Sequence, residues 1–284
     1  MKNIPIRHIQ VAQKEPDFFG GFSIRDVRTL LDGKDMVQEL HRHDFFYVLA
    51  LKKGAGRHEI DFTSYEVCDH SVAFMRPGQV HQLTLKAGAI GYLLAFETGT
   101  YYPNDKGSKQ LLRKAGIRNH YLFEAARFKK LIAGLDHLFQ EYTDKQEGYQ
   151  KVIKAYLDIF LVELVRQHRE SAPGVVSYAQ EKLEELLELL ETDISHHKEV
   201  SAYAAMLHLS PYQLNAITKA MLGKTCSALI HEYIILESKR LLLATSNQVS
   251  QIAYQLGYED VAYFIRFFKK HTGHSPEVFR QHFR

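Results

Sequence analysis

The stretch that most restricts the fold lies between residues 249 and 271, where two helix-patterned segments meet across Gly257-Tyr258-Glu259-Asp260. Glycine takes the left-handed conformation that ends a helix without strain. An aspartate side chain can cap the backbone N–H groups that open the next helix. In that next segment Val261, Phe264, Ile265 and Phe268 fall at i, i+3, i+4 and i+7 and read as a core-facing stripe. Ala262, Arg266, Lys269 and Lys270 then lie on or beside the opposite face.

The same helix, tight turn and helix recur at 200–221. Ser210 before Pro211 supplies the start signal there, as Ser275 before Pro276 does near the end of the chain. Helices are expected near 199–207, 211–221, 227–244, 249–256, 260–271 and 276–282, after an acidic helix striped by Leu183, Leu186, Leu187 and Leu190. The connector Ser227 to Ala244 would be about 27 Å long at 1.5 Å per residue. Major-groove faces on one side of a duplex recur every ~34 Å, so a stiff rod of this length can set two short helices into adjacent grooves. Net charge is only +3, but it is unevenly distributed. Residues 181–193 are acidic, whereas Lys239, Arg240, Arg266, Lys269, Lys270, Arg280 and Arg284 crowd the end. A solvated helix face would also look like this, so charge alone does not decide the partner.

The amino-terminal half has a different texture. The segments 45–51, 56–62, 70–75, 80–85 and 90–96 are short, rich in aromatic and β-branched residues, and separated by turn-prone pieces such as Lys52–Gly56 and Arg76–Gln79. That spacing suggests a sandwich or barrel. Helical periodicity follows at 127–142 and 149–169, and Ser171-Ala172-Pro173-Gly174 breaks it. The expected class is α+β: a β-barrel with two helices over residues 1–172, then an all-α domain over 177–284. No apolar run is long enough to span a bilayer, and MKNIPIRHIQ has no signal-peptide stretch. Cys68 and Cys226 form no CxxC pair, which fits a reducing cytoplasm.

Residues 252–280, from Ile252-Ala253 through Leu256-Gly257-Tyr258 and Tyr263–Lys270 to Gly273-His274-Ser275-Pro276 and Phe279-Arg280, resemble the AraC/XylS family signature. The likeness extends back through Tyr203–Pro211 and Gly223-Lys224-Thr225. It implies a regulator of transcription that binds double-stranded DNA; whether its targets are switched on, as by an activator, or off stays open. By the same resemblance Tyr212, Asn215 and Ala216 face bases in the first unit, with Lys219 near phosphate. Val261, Ala262, Ile265 and Arg266 face bases in the second, with Lys269 beside them. Two departures stand out: Ala216 where the family often carries arginine, and Thr218 where it carries a core phenylalanine.

The strand-rich half resembles the cupin-like sensor domain of such regulators, through His41-Arg42-His43, Gly56, Pro77-Gly78 and His81. This implies a small-molecule effector, with His41, His43, Tyr47, Met75, His81 and Phe96 as candidate lining residues; a packed core is the alternative for Met75 and Phe96. Metal-binding cupins supply a glutamate shortly after the paired histidines, whereas here Asp44-Phe45-Phe46-Tyr47 follows. No metal and no cofactor are therefore expected, and His58 and His70 read as surface or strand residues. The helices at 127–169 resemble a dimerisation pair, although they could instead pack on their own barrel. A cupin metalloenzyme with a DNA-binding tail is the rival reading, but no catalytic triad, paired-carboxylate site, P-loop or dinucleotide fingerprint supports it.

Overall fold

The computed structural model describes residues 6–7, 21–97, 106–170 and 178–282. Two compact units result, one containing the described residues up to 170 and the other those from 178 onward. The expected break at Ser171–Gly174 and the cation Arg284 lie outside the described residues.

Among the described residues the first unit has ten strands: β1 (Ile6–Arg7), β2 (Phe22–Asp26), β3 (Met36–His43), β4 (Phe46–Lys53), β5 (Gly56–Ile60), β6 (Thr63–Val67), β7 (Ser71–Met75), β8 (Val80–Leu85), β9 (Ile90–Phe96) and β10 (His120–Leu122). They form two five-stranded sheets, ordered β1-β3-β8-β5-β6 and β10-β7-β4-β9-β2. Every pairing is antiparallel except β1 on β3. The expected closed barrel is therefore not what forms. Among the described residues no ladder joins one sheet to the other, and the strands make a two-layer sandwich instead.

Strand β4 explains the layering. Phe46 to Leu51 are all buried, which is the signature of a strand covered on both faces. Tyr47, Leu49 and Leu51 point into the core between the sheets, with Ile60, Leu83 and Leu85 of the facing sheet. Phe46, Val48 and Ala50 point the other way, into a second core with the helices. A short helix α1 (Val27–Leu31) follows β2, and its Val27 and Leu31 join the inter-sheet core. The outer layer comprises α2 (Lys106–Ala115), α3 (Ala125–Asp144) and α4 (Tyr149–Glu170). Phe128, Leu131, Leu135 and Leu138 of α3 and Leu157, Leu161 and Leu164 of α4 close over the sheet. Much of the apolar stripe that could have sought a second subunit is thus covered by the protein's own strands.

The second unit is all helix: α5 (Tyr178–Asp193), α6 (Val200–Met206), α7 (Pro211–Leu222), α8 (Cys226–Ala244), α9 (Val249–Gln255), α10 (Val261–Thr272) and α11 (Pro276–His282). The long α8 runs through its middle, burying residues on several sides from Cys226 to Ala244. The end of α8 leaves carbonyls without intrahelical partners. Arg280 of α11, only 9% exposed, answers this end: its Nε donates to Leu242 O at 3.0 Å and its Nη2 to Asn247 O at 2.6 Å. A planar guanidinium suits such a two-point contact, which an ammonium cannot reproduce.

Removing that side chain strands buried carbonyls and opens a void. Arg280→Ala is expected to destabilise the second unit by about 2–4 kcal/mol, with Arg280→Lys recovering little of it, in denaturant unfolding of the full chain followed by circular dichroism.

Candidate nucleic-acid interface and buried histidine cluster

Helices α7 and α10 are built alike. Each starts on an extended residue whose side chain caps the helix. Ser210 Oγ accepts from Gln213 N at 3.2 Å while Gln213 Oε1 accepts from Ser210 N at 2.9 Å, a reciprocal box. Asp260 Oδ1 accepts from Ala262 N and Tyr263 N at 2.8 and 3.1 Å. Each ends on a left-handed glycine, Gly223 or Gly273. Each buries three residues at matching positions: Leu214, Ile217 and Thr218 in α7, and Phe264, Phe267 and Phe268 in α10. The core stripe of α10 thus contains Phe267, and Val261 and Ile265 sit half-buried at its edge, where the sequence pattern had placed them inside. Thr218 fills the phenylalanine position fully buried, its hydroxyl donating to Asn215 O at 3.2 Å.

The preceding turns reach one geometry by two routes. Leu209 N bonds Ala204 O at 2.8 Å, and Tyr258 N bonds Ala253 O at 2.9 Å. The left-handed residue is His208 in the first turn, with φ 55°, and Gly257 in the second, with φ 71°. Only the second requires glycine on two counts. A β-carbon on Gly257 would stand 2.0 Å from Ser195 O, and the Gly257 carbonyl is held by Lys198 Nζ at 2.9 Å. Lys198 also lies 4.8 Å from the centre of the Tyr258 ring, and burial pulls its pKa below the usual lysine range.

Outward, α7 shows Tyr212, Gln213, Ala216, Lys219 and Ala220, while α10 shows Ala262, Tyr263, Arg266, Lys269 and Lys270. Tyr212 is 84% exposed, an unusual setting for an aromatic ring with no assigned partner. Gln213 and Tyr263 were missed from the sequence; their matching positions in the two helices were the available signal. Asn215 behaves differently from expectation. It is half-buried, its Oδ1 accepts from Cys226 N at 3.0 Å and its Nδ2 donates to Pro211 O at 3.1 Å. Its amide ties α7 to the start of α8 instead of standing clear in solvent. Arg266 lies 3.6 Å from Asp260, with both side chains more than half exposed, so the pair is weak and does not hold the guanidinium back.

In the first unit, the register of β3 on β8 sets His41 directly opposite His81, and a bulge between Gln38 and His41 precedes the pair. His43 follows two residues on, on the same face. In β5, Ile60 pairs with His81, which brings His58 alongside. All four histidines are at most 5% exposed. Their nitrogens converge: His41 Nε2 and His43 Nε2 are 3.1 Å apart, His43 Nε2 and His81 Nε2 2.9 Å, and His81 Nε2 and His41 Nε2 3.0 Å. His58 Nε2 is 2.8 Å from His81 Nδ1, and burial pushes the His58 pKa down to about 3, so that ring is neutral at ordinary pH. Tyr47 stacks on His43 with centroids 5.2 Å apart. Met75 shares the inter-sheet core with Tyr47. Phe96 does not: it stacks on Phe46 in the helix-side core, across the sheet from the histidines. His58 lies on a strand, as one of its two expected settings had it, but it is buried and not at the surface. Its parity with the apolar Ile60 along one strand was the overlooked signal.

Two family models match the chain. An AraC-like ligand binding domain covers residues 32–157, and a helix-turn-helix domain covers residues 203–282. Among curated proteins, the chain is similar to the uncharacterized HTH-type transcriptional regulator YfiF of Bacillus subtilis, at 22% identity over 85% of this chain and 78% of that protein. It is also similar to the HTH-type transcriptional activator RhaS of Pectobacterium atrosepticum, at 26% identity over 84% of this chain and 86% of the relative. Among solved structures, fatty-acid-bound ToxT of Vibrio cholerae aligns at 15% identity, covering 92% of this chain and 95% of that one with a TM-score of 0.44.

The two turns should respond oppositely to substitution. Gly257→Ala meets both the left-handed backbone and the Ser195 carbonyl, and should cost at least about 2 kcal/mol. His208→Gly relieves a left-handed non-glycine residue and should be neutral or stabilising by up to about 1 kcal/mol. Thermal and denaturant unfolding of the two variants beside the parent would check this.

Proposed function

The chain belongs to the AraC/XylS family of transcriptional regulators, and we propose that it reads DNA through the exposed faces of α7 and α10. It is a sequence-specific DNA-binding regulator with an AraC-like ligand-binding domain ahead of its helix-turn-helix domain. The observation that carries the interface reading is the matched pair of capped helices in one compact unit, each turning a polar and cationic face outward. An α-helix of this size fits the major groove, where arginine pairs with guanine edges and apolar side chains meet thymine methyl groups.

On this reading Arg266 is the principal base-reading donor, flanked by Ala262 and the half-exposed edges of Val261 and Ile265. Tyr212 and Ala216 occupy the corresponding places in α7, while Lys219 and Lys269 meet phosphates. Asn215 serves as a positioning residue, because its amide is already engaged within the fold. The ligand-binding domain takes a small effector beside His41, His43, Tyr47, Met75 and His81, and Phe96 is withdrawn from that set because it lies on the other face of its sheet. The protein works in the cytoplasm as a homodimer, consistent with Ile159 standing 54% exposed on α4 where the remaining stripe faces solvent. No described helix is long and apolar enough to cross a membrane. An enzymatic role has less support, since the similar curated proteins are named as transcriptional regulators.

The test is binding to a site selected from genomic fragments. Arg266→Ala should weaken that complex by roughly 1–3 kcal/mol while binding to random duplex stays nearly constant. Lys219→Ala should instead weaken both and lower the salt slope by about 1. Equal affinity of Arg266→Ala and parent for the selected site would remove Arg266 from the reading set.

A further inference from the structure

Away from α7 and α10, the densest group of metal-ligating side chains among the described residues is the histidine cluster between the sheets. We propose that His41, His43 and His81 bind one divalent transition-metal ion through their Nε2 atoms, with His58 orienting His81. This goes beyond the regulator reading and does not depend on it.

The first argument is one of counting. A nitrogen of a neutral imidazole carries either a hydrogen or a lone pair. Three Nε2 atoms stand mutually within 3.1 Å, so at least two must be in the same state. One contact would then set lone pair against lone pair, or hydrogen against hydrogen, where water is excluded. An ion among the three nitrogens makes all three contacts favourable at once.

The outer nitrogen of His41 agrees. His41 Nδ1 lies 2.7 Å from the carbonyl oxygen of Glu39, which can only accept, so the proton sits on Nδ1 and the lone pair on Nε2. On this proposal His81 Nδ1 donates to His58 Nε2, 2.8 Å away, which leaves the His81 Nε2 lone pair for the ion. Ligating histidines are held in place by bonds of this kind from the other ring nitrogen.

The spacing also fits. Nitrogens each ~2.05 Å from one ion stand ~2.9 Å apart at a right angle and ~3.3 Å apart at the tetrahedral angle. The observed separations of 2.9 to 3.1 Å lie within that span. The three side chains also form a group whose ligand atoms all lie within 4.8 Å of one another. Three imidazoles without a carboxylate favour zinc, cobalt, nickel or copper over magnesium or calcium. They leave at least one position for water or another oxygen donor. The sequence-based expectation of a metal-free site rested on the missing glutamate. The fold assembles three nitrogen ligands without one and adds His58, which that expectation had left out.

The test uses the full-length chain stripped with a chelator, then titrated with Co²⁺ by visible absorption and with Zn²⁺ by calorimetry, Mg²⁺ serving as control. The expected result is a cobalt band saturating at one ion per chain and no response to Mg²⁺. His43→Gln should abolish the band and lower Zn²⁺ affinity more than ~100-fold, and His58→Gln should lower it ~10- to 100-fold with the stoichiometry kept. His231 and His271 form a second histidine pair, with ring centroids 5.1 Å apart in the other unit, and His271→Gln should leave the cobalt band unchanged. Absence of any cobalt band in the parent, or a band that survives in folded His43→Gln, would overturn the proposal. If His43→Gln does not fold, unchanged Zn²⁺ affinity in His58→Gln overturns it equally.

Discussion

What the second unit presents to solvent depends on the burial of one helix, Cys226–Ala244. Two seven-residue helices and two twelve-residue helices are too short to be stable alone in water. Each holds its shape because its apolar face lies in a core that α8 supplies from several sides. The ends of α8 are fixed by side chains from either half. Asn215 accepts from the N–H of Cys226 at its start, and Arg280 donates to the carbonyls at and beyond its end. The direction of α7 and α10 is therefore set by contacts to a common rod and not by the tight turns alone.

Within that frame the two halves keep the scaffold and vary the surface. Caps, terminal glycines and buried positions correspond, while the outward residues differ: Tyr212 against Ala262, and Ala216 against Arg266. An arginine fork aimed at a groove discriminates bases, whereas alanine at the matching place reads little beyond a methyl group. On the proposed reading of the interface, this asymmetry gives the second half the sharper sequence discrimination. The first contributes the exposed ring of Tyr212 and the charge of Lys219. The second turn is also pinned more firmly, by Lys198 and the Ser195 carbonyl, whereas the first accepts a strained His208.

How much of this was legible varies with how local the governing physics is. Helix boundaries in the second unit were readable to within a residue or so, because caps, prolines and terminal glycines act over one turn. Strands β7, β8 and β9 were equally plain, while β4 runs two residues past its expected end. Strand β3 and the helix Lys106–Ala115 were not singled out, since neither carries a long apolar pattern; their places are fixed by partners distant in sequence. Barrel closure depends on whether edge strands meet, and no single segment records that. The same limit applied to Asn215 and Phe96. An asparagine on a helix face looks available until the next helix brings Cys226 N within reach. An alternating strand does not say which of its two faces lies toward which layer.

The histidine cluster shows that limit from the other side. His41, His43, His58 and His81 are drawn from three strands, and only register brings them together. His58 and His81 occupy inward positions that isoleucine or leucine fills further along the same strands, at Ile60, Leu83 and Leu85. Burying an imidazole costs free energy unless both nitrogens are matched, so a sandwich selected for stability alone would carry hydrocarbon there. The bulge just before His41 is a further departure from the regular ladder, of the kind that re-aims side chains beside functional sites. Four desolvated imidazoles behind a bulge, with three nitrogens turned toward one point, are therefore better explained by what they bind than by what they stabilise.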